Sequence, residues 1–278
     1  MAAIGKPNTL RVIRESSPGL YLQGGELGEI LLPGRYIPKG AVPGDDLDVF
    51  IYRDSEDRLV ATTETPHAVV GQFAFLKVVS VNAQIGAFLD WGLSKDLLLP
   101  IVEQARRVRV GDWVVACVLL DSKTGRIVAT TRLNRHLDLE TPAYVEGQKV
   151  AILIAEETPL GYKAIVENAH WGLLYQNELP TSLQIGRQLD AFVRIIREDG
   201  KIDLTLNESG YRRVAPLTEK IMDALKANGG RLEFDDKSAP DAIHDAFQIS
   251  KKAFKQALGA LYRERRIRFA NGGIELEE

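Results

Sequence analysis

The residue types that most often carry chemistry are sparse and scattered in this chain. The four histidines, His67, His136, His170 and His244, show no metal-ligand spacing, and the single cysteine, Cys117, has no second cysteine to pair with. No Gly-x-x-x-x-Gly-Lys-Ser/Thr phosphate loop occurs. Gly24-Gly-Glu-Leu-Gly28 precedes a strand-like run rather than a helix, so it lacks the context for dinucleotide binding. Acidic clusters at Asp45-Asp-Leu-Asp48 and Asp235-Asp236 are of the kind with which a metal-dependent nuclease holds a divalent cation. At strand ends they read instead as solvated loop carboxylates. No catalytic residue, cofactor or metal is expected.

Aromatic and cationic residues placed for a polyanion offer more. In Gly86-Ala-Phe-Leu-Asp90, strand alternation sets Phe88 opposite to Ala87 and Leu89. With those two in a core, Phe88 faces out, where stacking on a base contributes about 1–3 kcal/mol. The same offset gives Tyr21 upstream and Lys163 downstream. Arg106, Arg107 and Arg109 follow Phe88 and suit phosphate contacts. Near the C-terminus, Lys251, Lys252 and Lys255 open a helical pattern, and Arg263, Arg265, Arg266 and Arg268 lead into a hairpin pattern. Three lysines at a helix start would sit on phosphates in a major groove.

The elements that position these residues follow from one segment written three times. Its copies start at Gly44, Gly111 and Gly186, and each runs glycine, apolar stretch, polar turn, second apolar stretch. Starts 67 and 75 residues apart are the size of a small domain and too long for a solenoid unit. Upstream of each hairpin the pattern predicts three further strands. In the middle copy these are Phe73–Val81, Gly86–Asp90 and Asp96–Ile101, followed by Asp112–Leu120 and Arg126–Thr131 around the turn Asp121-Ser-Lys-Thr-Gly125. The first copy matches with Leu10–Glu15, Gly19–Leu22 and Glu29–Pro33, the third with Val150–Ala155, Gly161–Val166 and Gly172–Tyr175. Five short strands with glycines at the bends predict a closed barrel of the OB-fold type, which hides its edges. Cys117 is expected to be a buried strand residue.

Linkers are expected at Thr65–His67, His136–Gly147 and Glu208–Pro216. After Pro216 the apolar period becomes helical: Leu217, Ile221 and Leu225 share a face that Asn228-Gly-Gly230 ends. Ser238-Ala-Pro-Asp241 resembles a capping box for a helix ending near Phe247. Ser250 caps a longer helix whose Phe254, Leu258, Leu261 and Tyr262 share a face. Arg266–Phe269 and Gly273–Leu276 flank Ala270-Asn-Gly272, a hairpin signal. Three helices and a hairpin predict a winged helix-turn-helix with its turn at Gln248-Ile249. The expected division is 1–65, 66–140 and 141–210 for the barrels and 211–278 for the winged helix.

Composition fits a soluble intracellular protein: 45% hydrophobic and 26% charged residues, one cysteine, no signal-like N-terminus and no apolar run long enough to span a membrane. A net charge of −3 argues against binding a polyanion over the whole surface. Lys/Arg against Asp/Glu number seven to ten in 1–65, nine to seven in 66–140, six to ten in 141–210 and thirteen to eleven in 211–278. Basic charge is local, so contact should be made by patches.

The middle copy, with Gly86-Ala-Phe-Leu, Lys95-Asp-Leu-Leu-Leu, Val110-Gly-Asp and Asp121-Ser-Lys-Thr-Gly-Arg-Ile, resembles the RNA-binding barrel repeated in ribosomal protein S-one. Three such barrels and a winged helix resemble the conserved virulence factor B family over essentially the whole chain. The resemblance implies an RNA-binding regulator of gene expression. It places Phe88, Asp121 and Arg126 on the RNA face of the middle barrel, and Lys163, Tyr175 and Lys201 on that of the third, with Trp171 and Arg197 close by in sequence. Ile85 and Pro100 stand where the motif has an aromatic and a histidine. The first barrel keeps Tyr21 and Arg58 but has Pro33 at the histidine position. No copy holds the full set, which implies weak sites summed by tethering. The expected function is cytoplasmic, non-catalytic binding of single-stranded RNA through the second and third barrels and the winged helix, with the first barrel mainly structural, in post-transcriptional regulation of gene expression. The alternatives are a DNA-binding transcription regulator acting through the winged helix, a module docking on the ribosome or another protein, and, last, a metal-dependent nuclease.

Overall fold

The computed structural model describes every residue except Met1, Leu139, Thr141, Pro180, Glu198, Asn207, Glu264, Asn271 and Glu278; for residues 208–216, Lys252 and Arg263 it describes the backbone alone. Two compact units emerge, Met1–Pro142 with Val150–Asp190 and Arg197–Ile202, and Ala143–Lys149 with Ala191–Ile196 and Asp203–Glu278.

Three closed five-stranded barrels follow one another. The first is built from β1 (Pro7–Ser16), β2 (Gly19–Gln23), β3 (Glu29–Pro33), β4 (Asp46–Arg53) and β5 (Leu59–Thr62) in the order β1-β2-β3-β5-β4. The second comprises β6 (Phe73–Asn82), β7 (Gly86–Asp90), β8 (Leu97–Pro100), β9 (Trp113–Leu120) and β10 (Ile127–Thr130), and the third β11 (Lys149–Thr158), β12 (Gly161–Val166), β13 (His170–Tyr175), β14 (Gln188–Ile196) and β15 (Ile202–Thr205). Both repeat that order, so the fifth strand lies between the third and the fourth, as in an OB fold. The repeated segments seen in the sequence are the fourth and fifth strands of each barrel.

Two local devices recur in all three copies. Each first strand carries a register shift at the same place, between Val12 and Arg14, Val78 and Ser80, and Ile154 and Glu156. Such a bulge bends the strand and tightens its twist, which lets a short sheet close on itself. Each second strand begins with a glycine at φ between 141° and 150°, Gly19, Gly86 and Gly161, where a Cβ would collide with the carbonyl oxygen of Leu32, Leu99 or Leu174 across the ladder. Alternate positions of every strand fill the interior: Leu20, Leu22, Ile30 and Leu32 in the first barrel, Ala87, Leu89, Leu97 and Leu99 in the second, and Ile152, Ile154, Tyr162 and Ala164 in the third.

The last part of the chain is a winged helix: α1 (Glu208–Ala227), β16 (Arg231–Leu232), α2 (Pro240–Phe247), α3 (Lys251–Arg263), β17 (Ile267–Ala270) and β18 (Gly273–Leu276), with the strands in the order β16-β18-β17. Its core joins Ile221, Leu225, Ile243, Phe254, Leu258 and Ile274. Gln248, at the expected turn, adopts the left-handed conformation at φ 56° and closes α2 through its N–H to His244 O.

Four expectations are corrected. The segment Glu208–Pro216 is helix rather than linker: α1 runs through Pro216, whose missing N–H costs one helical hydrogen bond without ending the helix. Ser238 does not cap α2; Ala239 stands at the N-cap and the Ser238 hydroxyl is turned back to Asp235. Tyr262 leaves the buried face of α3 and is 54% exposed, its ring 5.3 Å from that of Phe269. The wing has a third strand, β16, too short to be read from alternation. Ser250 does cap α3, accepting the Ala253 N–H at 3.3 Å. No helix among the described residues is long and apolar enough to cross a membrane.

Candidate nucleic-acid interface

The second and third strands of the barrels hold Tyr21, Phe88, Lys163 and Tyr175 of the residues expected to bind. Phe88 sits on β7, half-buried, opposite Ser80 and Leu98, while Ala87 and Leu89 are fully buried beside it. Tyr21 on β2 has the corresponding position in the first barrel, but the Arg14 guanidinium lies 3.8 Å over its ring and is itself held by Glu29 at 2.7 Å. That cation occupies the face a base would take. Arg58 of the same barrel is paired with Asp54 and Glu56.

Arg126 is not available in the way the motif implies. Its guanidinium makes two hydrogen bonds to the Asp57 carboxylate of the first barrel, at 2.8 and 2.9 Å, in a fork geometry that fits Arg to a carboxylate. Arg126 holds the Asp57 carboxyl below the usual carboxylate range. Asp121 is a turn residue: it accepts the Lys123 and Thr124 N–H groups at 2.8 and 2.9 Å, and these bonds lower its own carboxyl. On the third barrel, Lys201 lies 2.7 Å and Arg197 3.7 Å from Asp199, so both cations share one carboxylate.

The winged-helix cations are similarly engaged. The Lys251 ammonium donates to Lys237 O at 3.1 Å, Lys255 lies 3.6 Å from Asp236, and Arg268 makes a two-bond contact with Glu275 at 2.9 and 3.1 Å. The side chains of Lys252 and Arg263 lie outside the described residues.

Part of what remains is gathered in one place. Arg106, Arg107 and Arg109 are exposed, and among the described residues no ion pair holds their guanidinium groups. Arg106 lines a groove of about 820 Å³ between the second and third barrels, together with Arg132 and Arg135 of the connecting segment and Lys163 of β12. Two carboxylates, Glu156 and Glu157, share this groove, so four cations face two acids. Its aromatic residues are Phe75, Trp113 and Trp171. Phe75 and Trp113 stack with centroids 5.2 Å apart and planes at 28°. The Lys163 ammonium lies 4.8 Å over the Trp171 ring and 3.5 Å from Glu156, and the Trp171 indole N–H donates to Asn134 Oδ1 at 2.8 Å. Tyr175 is half-buried on the same strand as Trp171 and pairs with Gly161.

The structure therefore brings Arg106 and Lys163 together, leaves Phe88 and Tyr175 on their own barrel faces, and commits Arg126, Arg197, Lys201 and Arg268 to carboxylates. Sequence reasoning missed Phe75, Trp113, Arg132 and Arg135. One signal was present. β9 is apolar at both parities, with Val114, Ala116 and Val118 in the barrel interior and Val115 and Cys117 in a second cluster with Leu153 and Ile165 of the third barrel. An outward apolar row on a barrel strand means that something covers it, and Trp113 lies at the open end of that row.

Two family models match parts of this architecture. A family model described as S1 domain matches residues 4–64, the first barrel, and one described as CvfB-like winged helix domain matches residues 219–276. The S1 match thus falls on the copy in which the fewest binding positions were read. The chain is 27% identical over 276 residues to the uncharacterized protein YitL of Bacillus subtilis, covering 96% of this chain and 92% of that one. It is 27% identical over 250 residues to conserved virulence factor B of Staphylococcus epidermidis, covering 84% and 80%. A solved Streptococcus pneumoniae structure, described as a multidomain protein with nucleic acid binding domains, aligns over 98% of both chains with 26% identity and a TM-score of 0.43. An S1 domain and a winged helix support nucleic acid binding by this chain.

Proposed function

We propose that this homologue of the conserved virulence factor B proteins is a cytoplasmic, non-catalytic RNA-binding regulator of gene expression that grips single strands at its second and third barrels. The observation that carries the reading is the groove between them, where Arg106, Arg132, Arg135 and Lys163 outnumber two carboxylates around Phe75, Trp113 and Trp171. Cations that follow the backbone beside aromatic rings that accept any base are how single strands are held without strict sequence readout. The motif positions Phe88 and Tyr175 lie on strands of the same two barrels, outside the groove, and add contacts of their own in this reading. Barrel type favours RNA as the strand: the middle copy keeps Phe88, Asp121 and Arg126 at the positions by which it resembles the S-one RNA-binding barrel.

Duplex DNA binding by the winged helix is the weaker reading, because Lys255 and Arg268 face Asp236 and Glu275 rather than solvent alone. Fluorescence anisotropy with labelled single-stranded RNA, single-stranded DNA and duplex DNA at two salt concentrations tests the proposal. The expected order is single-stranded RNA first and duplex last, with affinity falling as salt rises. Tighter binding to the duplex, or no RNA binding at low salt, would sink it.

A further inference from the structure

Among the described aromatic residues of the barrels, Trp113 is the exposed one. One side of its indole rests on Phe75, yet the residue is 52% exposed, so its free surface is the side turned away from Phe75. Phe75 is fixed from behind by the third barrel: it lies against Gly186, at φ 86°, where a Cβ would collide with the ring. Pairing explains the shelf. Phe75 faces Val115 across the β6–β9 ladder and Lys77 faces Trp113, so Phe75 and Trp113 are diagonal neighbours on one outer face, within reach of each other. The row runs from buried Phe73 and Cys117, through Phe75 and Val115, out to Trp113.

We infer that Trp113, seated on Phe75, is a base-stacking site for single-stranded nucleic acid, flanked by Arg132 and Arg135 for the neighbouring phosphates. It lies on β6 and β9, not on β7 and β8, the strands that position Phe88. The inference rests on the single-strand reading and adds a site to it. Trp171, across the groove, does not serve in the same way: Lys163 stands over its ring and its N–H is held by Asn134. Arg132 is anchored by its Nε to Val102 O at 2.8 Å, which fixes the guanidinium, and its terminal N–H groups have no partner among the described residues and can meet an oxyanion. A tryptophan held half-open in a cationic groove offers a flat surface to a base and the arginines offer charge to its phosphates.

The test uses the full chain, fluorescein-labelled oligouridine and the matching oligodeoxythymidine. Trp113→Ala should weaken oligouridine binding about fivefold or more, the lower end for one stacked base, while Trp113→Phe stays within about threefold of the parent. Quenching of tryptophan emission by oligouridine should vanish in Trp113→Phe and persist in Trp171→Phe, which a merely structural role would not produce. Arg135→Gln should reduce the salt slope by about 0.7. Undiminished binding by Trp113→Ala, with emission unaffected by RNA, overturns the stacking site while leaving the RNA reading in place. That same result would be expected if Trp113 serves a protein contact. Binding of oligodeoxythymidine alone, still dependent on Trp113, keeps the site and removes the RNA reading. If the parent protein binds neither strand, both fall.

Discussion

The first and second barrels meet in a closed joint, the second and third in a half-open one, although the three barrels share one fold. In the closed joint, Phe50 and Tyr52 of the first barrel enter the same apolar cluster as Trp91 and Leu93 of the second. Phe50 and Trp91 meet edge to face at 5.7 Å. Polar groups finish the seal: Arg126 on Asp57, the Lys95 ammonium on Arg53 O at 2.7 Å, and the Tyr36 hydroxyl on Ser94. Burial pushes Lys95 below its ordinary value. In the half-open joint an aromatic row starts buried and ends exposed, and among the described residues no carboxylate pairs with the arginines beside it. The difference teaches that repetition of a scaffold does not repeat its binding capacity. A joint that uses a motif arginine to tie two barrels together removes it from a ligand, whereas a joint left partly open creates a groove that neither barrel has alone.

The largest expected effect lies in the closed joint. Trp91→Ala removes a ring that is 2% exposed and an indole N–H bound to Lys95 O at 2.6 Å. A loss of about 3–5 kcal/mol should appear as a lower denaturation midpoint. Oligouridine affinity measured below the transition should not change. A parallel loss of affinity would mean the two joints are not separable. Next comes Gly186→Ala, which strains a left-handed position and drives a methyl group into the Phe75 ring. It should cost about 1–3 kcal/mol, as overpacking does, and, unlike Trp91→Ala, should also weaken oligouridine binding by displacing the shelf under Trp113. Unchanged binding would show that the groove does not depend on its back wall.

The two joints were not equally legible in the sequence. Alternation and turn chemistry gave nearly every barrel strand, because an interior that must be filled at every second position imposes its period on the chain; Gly86–Asp90 and Gly161–Val166 match to the residue. Contacts between barrels leave no such period. Val115 and Cys117 read as ordinary core, and only the barrel's curvature reveals that they point outward. Arg126 read as a ligand contact because its partner, Asp57, is 69 residues away. Proline and charge marked 208–216 as a break, yet the backbone stays helical there, since one absent hydrogen bond is a small cost beside the apolar face that α1 buries in its C-terminal half. Trp113 was visible as a residue but not as a site, because its meaning depends on Phe75 and on a glycine from the next barrel.

A smaller effect separates the joints by pH. Arg126 lowers the Asp57 carboxyl, so the ion pair stabilises the fold above the ordinary carboxylate value and that contribution is lost as pH falls through the lowered one. Asp57→Asn should therefore melt slightly below the parent at neutral pH, with the gap beginning to shrink near about pH 4. Both side chains are about half exposed, which keeps the effect modest. The same substitution frees Arg126, and the salt slope of RNA binding should steepen by about 0.7 if a phosphate takes the place of Asp57. An unaltered slope would mean that the closed joint hides Arg126 by position as well as by charge.

The smallest effect reads the half-open joint directly. Cys117 is 2% exposed in the cluster that joins Phe73 and Val115 to Leu153 and Ile165, and burial pushes its thiol up to about 12. Reaction with iodoacetamide requires thiolate, so at pH 8 the folded protein should label only through openings that admit both solvent and reagent. If the second and third barrels part transiently, Cys117 should label faster than the global unfolding rate allows, and oligouridine bound in the groove should slow it, because a strand touching both walls opposes their separation. Trp91→Ala, acting at the other joint, should leave the labelling rate alone under conditions where the protein stays folded. Labelling that tracks global unfolding and ignores RNA would show that the two joints are equally rigid, and that the groove is open by shape alone rather than by motion.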